Sequence, residues 1–431
     1  MKPKVLIVGT VPYNRNLTSR AFESYFSGWE HERLAQIFSN EKVPVKGHCG
    51  TLYQITDKRM LKRKISRRVE TGKIFIRSRL SEEPAAGNTD KGGFFYKTLY
   101  HIGRLHSPLT HLLRRWVWNR KHWCTEKLNS WLDEFAPECV FLSFSDDFFI
   151  LQIALYAAKK YNIPIVSAIG DDYCFNTHFS ISPFYYIYKY SYTKLIRTVF
   201  AYKGSAIYIS DKIRDIYNKS FGLCGKTVYL TSDMIRRNFR EIDIDNPYIC
   251  YFGNIGLGRS KSLSDIGTAL GKINPDYRLH VYSNENRLKD TAVLRRNPNI
   301  RFIGSIPYSE VKLKSLECDI IVLAEGFSKS DINMTRYSLS TKAADALASG
   351  SNIFVYGPAE CGLIQYMSET GSSEVCTEPE KLESCIRRLI VNSSLQRKNY
   401  DAAVRVTNEN HTLKNSTAAI EKIIREAVGK S

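Results

Sequence analysis

The chain has 431 residues, 43% of them apolar, and a formal charge of +19 from 62 Lys/Arg against 43 Asp/Glu. That length suits two or three domains, and the apolar share is enough for real cores with no tract biased toward disorder. No stretch approaches the roughly 18–20 uninterrupted apolar residues of a membrane span; the best candidate, VFLSFSDDFFILQIALYAA, is split by Asp146 and Asp147.

The first apolar run, Val5 to Val8, is too short for a signal peptide and reads as a buried strand. Strands follow at 43–49, 139–144, 163–169, 205–210 and 226–231, with helical patterns between them, one around Leu34, Ile37 and Phe38. Residues 58–138 read as an irregular, basic and aromatic insertion. Within it, residues 58–120 hold 16 Lys/Arg against 4 Asp/Glu, densest in KRMLKRKISRR (58–68). In HLLRRWVWNRKHW (111–123) the bases interleave with Trp116, Trp118 and Trp123. Such a pattern suits an anionic surface such as lipid headgroups, and a solvated basic face is the alternative.

A polar, proline-containing stretch at 237–247 separates residues 1–240 from a second block, 241–410. There the strands are expected at 248–253, 277–283, 299–304, 319–324 and 352–357. Apolar runs of this length, each followed by an amphipathic segment, mark parallel sheets covered on both faces. The expected fold class is α/β, with two doubly wound Rossmann-like domains. The ten cysteines form no Cys-x-x-Cys pair, so zinc-ligand spacing is absent and buried free thiols in a reducing cytoplasm are expected.

Two segments of the second block carry candidate chemistry. In YFGNIGLGR (251–259) a strand ends, Gly253, Asn254, Gly256 and Gly258 open a loop, and Arg259 starts a helix. Backbone N–H groups at such a helix start meet phosphate, and a guanidinium adds a planar fork; a plain tight turn is the alternative. In YSLSTKAADALASG (337–350), Ser340 and Thr341 cap a helix with Lys342 in its first turn, where the dipole makes a cation unwelcome unless an anion is near. Asp345 lies three residues on, and a surface Lys–Asp pair is the alternative. In the first block, Gly9 and Thr10 follow the first strand, and Asp171 and Asp172 follow another in AIGDDYCFN (168–176). Two carboxylates there would orient an acceptor hydroxyl or stabilise a cationic sugar; capping is the bland alternative.

The Gly-rich strand end with its arginine, and S-T-K-A-A-D-A-L-A-S-G (340–350), resemble the C-terminal domain of family-4-type GT-B glycosyltransferases over about 248–370. The resemblance implies a GT-B fold whose two domains face a central cleft, with residues 411–431 as a helix packing back on the N-terminal domain. It implies transfer of a sugar from a nucleotide-diphosphate donor to a glycan or lipid-linked acceptor, with retention and without metal or other cofactor, in cell-surface polysaccharide synthesis. Arg259, Lys342 and the amides of Ser340 and Thr341 would hold the diphosphate, Asp345 the ribose, and the loop at Ser305 and Ile306 the base. Asp171 would match the aspartate of that family's His-Asp, with Gly170 in place of the histidine. Tyr337 stands where the family has its first glutamate, and Glu325-Gly326-Phe327 echoes the Glu-Gly-Phe fragment 20 residues before Asp345. A cytoplasmic protein peripheral to the inner face of an anionic membrane is expected, without nucleic acid. The alternatives are a GT-B nucleotide-sugar epimerase, a basic nucleic-acid-binding protein and a catalytically silent GT-B partner subunit.

Overall fold

A computed structural model describes residues 1–11, 20–66, 68–83, 107–285 and 287–429. Most of the polar loop after Thr10, and residues 84–106 of the basic stretch, lie outside the described residues. The chain forms two compact units, one of Met1–Val228 with Thr417–Ser431 and one of Tyr229–Ser416. These divisions stand beside the expected 240/241 and 410/411.

In unit 1 the strands are β1 (Val5–Val8), β2 (Leu34–Phe38), β3 (Thr51–Ile55), β4 (Gly72–Ile76), β5 (Cys139–Ser143), β6 (Ile165–Ile169), β7 (Gly204–Tyr208) and β8 (Lys226–Thr227). They form one sheet in the order β4-β3-β2-β1-β5-β6-β7-β8. All neighbours are parallel except β3 and β4. The chain moves outward from β1 to β4, then returns to β5 on the other side of β1. That reversal makes the carboxyl ends of β1 and β5 the switch point at which such sheets bind ligands. The last helix, Leu413–Gly429, joins this unit through its later turns, where Glu421 pairs with Lys2 at 3.2 Å and Arg425 donates to the Met1 carbonyl.

Three expectations need correction. Leu34–Phe38 is a strand, not a helix; all five residues are buried, and Gln36 spends its amide on the Thr10 carbonyl at 2.7 Å. Residues 43–49 form no strand, because the Lys46 amide goes to the Ser81 carbonyl instead of a ladder. The basic stretch is not irregular where it is described. It holds helix Asp57–Ile65, edge strand β4, and helices Pro108–Val117, Arg120–Trp123 and Glu126–Phe135. Trp118 and Trp123 are 1% exposed and Trp116 is 62% exposed, so two of the three tryptophans belong to the core. Trp118 stacks on Phe149 at 3.6 Å, and its Nε1 donates to Asp57.

In unit 2 the strands are β9 (Ile249–Phe252), β10 (Leu279–Tyr282), β11 (Ile300–Gly304), β12 (Ile320–Ala324), β13 (Asn352–Tyr356) and β14 (Glu374–Cys376). They are all parallel, in the order β11-β10-β9-β12-β13-β14. Alternate residues serve opposite cores: Ile249, Tyr251, Ile320, Val322, Phe354 and Tyr356 face one, while Cys250, Ile321, Leu323, Ile353 and Val355 face the other. This explains the continuous apolar runs, since both faces of the sheet are covered. Strand order reverses between β9 and β12.

Burying a large aromatic contributes about 3–5 kcal/mol against truncation to alanine. Trp118→Ala is therefore expected to lower the unfolding free energy by that amount in a denaturant titration, and Trp116→Ala by less than about 0.5 kcal/mol. Equal losses would contradict the assignment of Trp118 to the core.

Candidate active site

The two candidate segments of unit 2 meet at this reversal. Ser340 caps helix Thr341–Ser349, its hydroxyl accepting from the Lys342 amide at 3.4 Å, and Gly350 ends the helix. From the first turn, Lys342 runs across Gly253 and donates from Nζ to the Tyr251 hydroxyl at 3.0 Å. Gly253 has φ +134° and a Cβ there would overlap the Lys342 side chain, so both its backbone and its missing side chain are required. Tyr251 is itself buried and donates to the Asn254 carbonyl at 2.5 Å, which fixes the base of the loop.

Asn254 folds the loop back on itself, its Oδ1 accepting from the Gly256 amide at 2.6 Å. The amides of Arg259 and Ser260 go to the carbonyls of Gly256 and Ile255, at 3.3 and 2.9 Å. The loop thus satisfies part of its own helix start, and the capacity to attract an anion rests mainly on side chains. Arg287 lies beside Gly256, where an added Cβ would collide with its guanidinium, and it also pairs with Glu285 at 3.0 Å.

Arg259 does not face open loop. Its Nε and Nη2 donate to Glu325 Oε2 at 3.0 and 2.7 Å, and Nε also meets the Ala324 carbonyl. Glu325 is 2% exposed, and burial pushes its carboxyl up from the usual range although Arg259 and Lys342 pull it down. The sequence spacing counted against Glu325, which stands too far before Asp345 for the family pattern. Helix Lys329–Thr335 takes up those extra residues, and the end of β12 still delivers Glu325 to Arg259. The Glu-Gly-Phe fragment itself was the signal. Tyr337 supplies no carboxylate; its ring carries the Arg336 guanidinium at 4.6 Å.

Asp345 turns toward the loop after β11. It accepts from Ser232 at 2.7 Å and from Tyr308, next to Ser305 and Ile306, at 3.5 Å. Thr341 is exposed on the first turn of its helix. In unit 1, Gly9 closes β1 against β5, where an added Cβ would lie 2.6 Å from the Ser143 carbonyl oxygen. Thr10 follows it and accepts from Gln36.

The two aspartates after β6 differ. Asp172 Oδ1 accepts from the amides of Cys174 and Phe175, at 3.0 and 2.8 Å, and from the Tyr217 hydroxyl at 3.2 Å. It shapes the turn. Its Oδ2 is buried without a hydrogen-bond partner among the described residues. Asp171 is exposed.

No family model matches this sequence, and no curated protein matches it. Solved structures do match the fold along its whole length. Sucrose-phosphate synthase from Thermosynechococcus elongatus has a TM-score of 0.60 at 10% identity, over 99% of this chain and 100% of that one. Anabaena HepE in complex with UDP and glucose has 0.58 at 11%, over 97% and 98%. WaaG, a glycosyltransferase involved in lipopolysaccharide biosynthesis, has 0.54 at 11%, over 97% and 99%. At such identities the likeness is one of architecture, and that architecture is GT-B.

Removing one partner of a buried ion pair costs about 3–5 kcal/mol, because the other charge is left unpaired. Arg259→Ala is expected to lose that much stability, and Arg259→Ala/Glu325→Gln to regain a large part. Chemical denaturation of the wild type, both single variants and the double variant is expected to give a coupling of about 2 kcal/mol. Simple additivity would mean that the pair does not hold the site together.

Proposed function

We propose that this chain is a glycosyltransferase whose unit 2 binds a nucleotide-diphosphate sugar at the carboxyl ends of β9 and β12. The observation that carries this reading is Lys342 held across Gly253 beside the Arg259–Glu325 pair. The Lys342 ammonium and the Arg259 guanidinium come together at a switch point, in partly buried surroundings that strengthen their attraction for an anion. The leaving diphosphate is stabilised by Lys342 and Arg259 in place of a metal ion. Asp345, set beside Tyr308, takes the ribose, and the loop at Ser305 and Ile306 lies near the base. The fold match to HepE, solved in complexes with UDP and glucose and with UDP-glucose, supports this class of donor.

The acceptor in this reading is a glycan or a lipid-linked glycan, in cell-surface polysaccharide synthesis, and transfer is retaining. Asp171 is the better candidate of its pair to meet an acceptor, because Asp172 is already committed to its turn. Unit 1 binds the acceptor, with Gly9 and Thr10 at its edge.

We also propose peripheral contact of unit 1 with an anionic membrane at the inner face of the cell membrane. No helix among the described residues is long and apolar enough to cross a membrane. Exposed apolar side chains on unit 1 support this contact. Phe179, Ile181 and Tyr190 are 86%, 93% and 72% exposed, and on helix Pro108–Val117 Leu113 and Trp116 are 51% and 62% exposed. Lys64 sits over the Trp116 ring at 3.3 Å, and Arg115, next to Trp116 in sequence, is exposed. Apolar side chains bordered by cations suit a lipid surface.

A hydrogen bond to a charged group contributes about 1.5–3 kcal/mol, so Lys342→Ala is expected to weaken binding of UDP or another nucleoside diphosphate roughly 10- to 100-fold. Calorimetric titration of the diphosphate into the variant measures this. Wild-type affinity would move the donor site elsewhere. In turnover assays, release of nucleoside diphosphate dependent on acceptor supports transfer, and an isomerised nucleotide sugar would replace it with epimerisation.

The membrane proposal has its own test. Cosedimentation with phosphatidylglycerol vesicles is expected at low salt, with release at high salt, since each engaged Lys or Arg contributes about 1 kcal/mol. Phe179→Ser/Ile181→Ser is expected to weaken it several-fold. Equal binding to neutral vesicles would overturn the electrostatic part, and unchanged binding of the double variant would overturn the apolar part.

A further inference from the structure

Three non-glycine residues among the described residues have a positive φ. Ala136 and Asn162 each end a helix, Glu126–Phe135 and Phe148–Tyr161, where a left-handed residue is ordinary. Leu257 does not. It has φ +55° in the loop after β9, one residue before Gly258 opens helix Arg259–Ile273. Left-handed backbone crowds a Cβ against the following carbonyl, and a bulky residue adopts it only where its surroundings enforce it. Glycine or asparagine takes such a position at less cost.

The surroundings require the turn but not the leucine. The Leu257 carbonyl oxygen lies 2.4 Å from where a Cβ on Gly326 would stand, so the loop after β9 rests its backbone on the loop after β12. The Asp331 carboxylate lies 2.3 Å from an added Cβ at Gly258, and the Arg287 guanidinium 2.1 Å from one at Gly256. Both neighbours of Leu257 are thus glycines with no room for a side chain. A glycine at 257 would make the same backbone contact. The leucine side chain belongs to neither of the two cores that flank the sheet of unit 2, and it is 40% exposed. An exposed leucine alone needs no explanation. One kept in a backbone conformation that penalises it, with no core packing in return, is the kind of outlier that gathers at ligand sites.

The sheet order limits which part of a ligand it meets. β12 flanks β9 on one side, and β10 followed by β11 lie on the other. Leu257 is set on the β12 side, where Gly326 follows the Glu325 that pairs with Arg259. The loop at Ser305 and Ile306, assigned to the base, follows β11 on the far side. An isobutyl group offers nothing to a phosphate, which has Arg259 and Lys342. The remaining part of a nucleotide sugar is its hexose, whose C–H bonds form an apolar face.

We propose that Leu257 packs on the apolar face of the donor's hexose and helps to select the sugar that is transferred. This deepens the proposed function and rests on its donor site in unit 2. The strained turn costs stability, and the side chain it presents shields one face of the sugar from water.

Calorimetric titration of the full chain first identifies which of UDP, GDP, ADP and dTDP it binds, then compares that diphosphate with its glucose, galactose, mannose and N-acetylglucosamine esters. In Leu257→Asn the tightest of these esters is expected to lose affinity about fivefold, the loss of a partly buried leucine contact, while the diphosphate keeps its wild-type affinity. Leu257→Met, still apolar, is expected to retain most of the ester's affinity. The melting temperature of Leu257→Asn is expected to rise by about 2 °C, because asparagine tolerates the left-handed turn; a side chain present only for packing would lower it. Equal losses for diphosphate and ester, an unchanged ester affinity in Leu257→Asn, or a lower melting temperature would each overturn the proposal. Diphosphate binding by the wild type separates the two readings: with it, those outcomes strike Leu257 alone, and without binding of any of the four the donor site falls and the Leu257 contact with it.

Discussion

The passage of Lys342 over Gly253 is the constraint on which the site in unit 2 depends. An ammonium in the first turn of a helix opposes the helix dipole and costs free energy unless something offsets it. Here the Tyr251 hydroxyl accepts from it, and the buried Glu325 carboxylate lies within electrostatic reach. Glu325 in turn needs Arg259, since a carboxylate 2% exposed is expensive to keep ionised alone. The three charged groups hold each other in place, and the glycine gives the lysine its path. Neither the loop nor the helix produces this arrangement by itself.

The strand ends of the two units gather different charged groups. In unit 2, Arg259, Lys342 and Arg287 lie around the β9 loop among the carboxylates of Glu325, Asp331, Glu285 and Asp290. In unit 1, Asp57 and Asp147 both pair with Arg114, and Asp171 is exposed after β6. The same doubly wound plan therefore carries different sets of charged side chains at its two strand ends. The distinction comes from which side chains follow the strands, not from the fold, as is usual for widely used architectures.

Most of the fold was legible because parallel strands buried on both faces appear as continuous apolar runs. That held for β1, β5, β6, β7, β9, β10, β12 and β13, while β11 was legible although, at the sheet edge, it is only partly buried. It failed for Leu34–Phe38, where Gln36 interrupts the run and leaves Leu34, Ile37 and Phe38 at helical spacing. The buried glutamine is satisfied by a backbone carbonyl, which no periodicity reveals. β4 was hidden in a basic stretch because an antiparallel edge strand alternates exposed and buried positions. In unit 2 the sequence singled out Gly253, Arg259, Ser340, Lys342 and Asp345 as candidates but not the side chains they contact. Glu325 was discounted by its spacing. Partner choice is set by tertiary packing, which local pattern does not encode.

The path of the chain has a consequence for how the protein is made. Met1–Val228 forms most of unit 1, but the Lys2–Glu421 pair and the Arg425 bond to Met1 come from residues 417–429. A ribosome delivers all of Tyr229–Ser416 before it delivers that helix. Unit 2, continuous in sequence, has every strand of its sheet to hand while unit 1 still lacks a packing element. Vectorial synthesis thus makes the earlier unit the later one to be completed, and its amino-terminal surface must stay soluble for the whole interval.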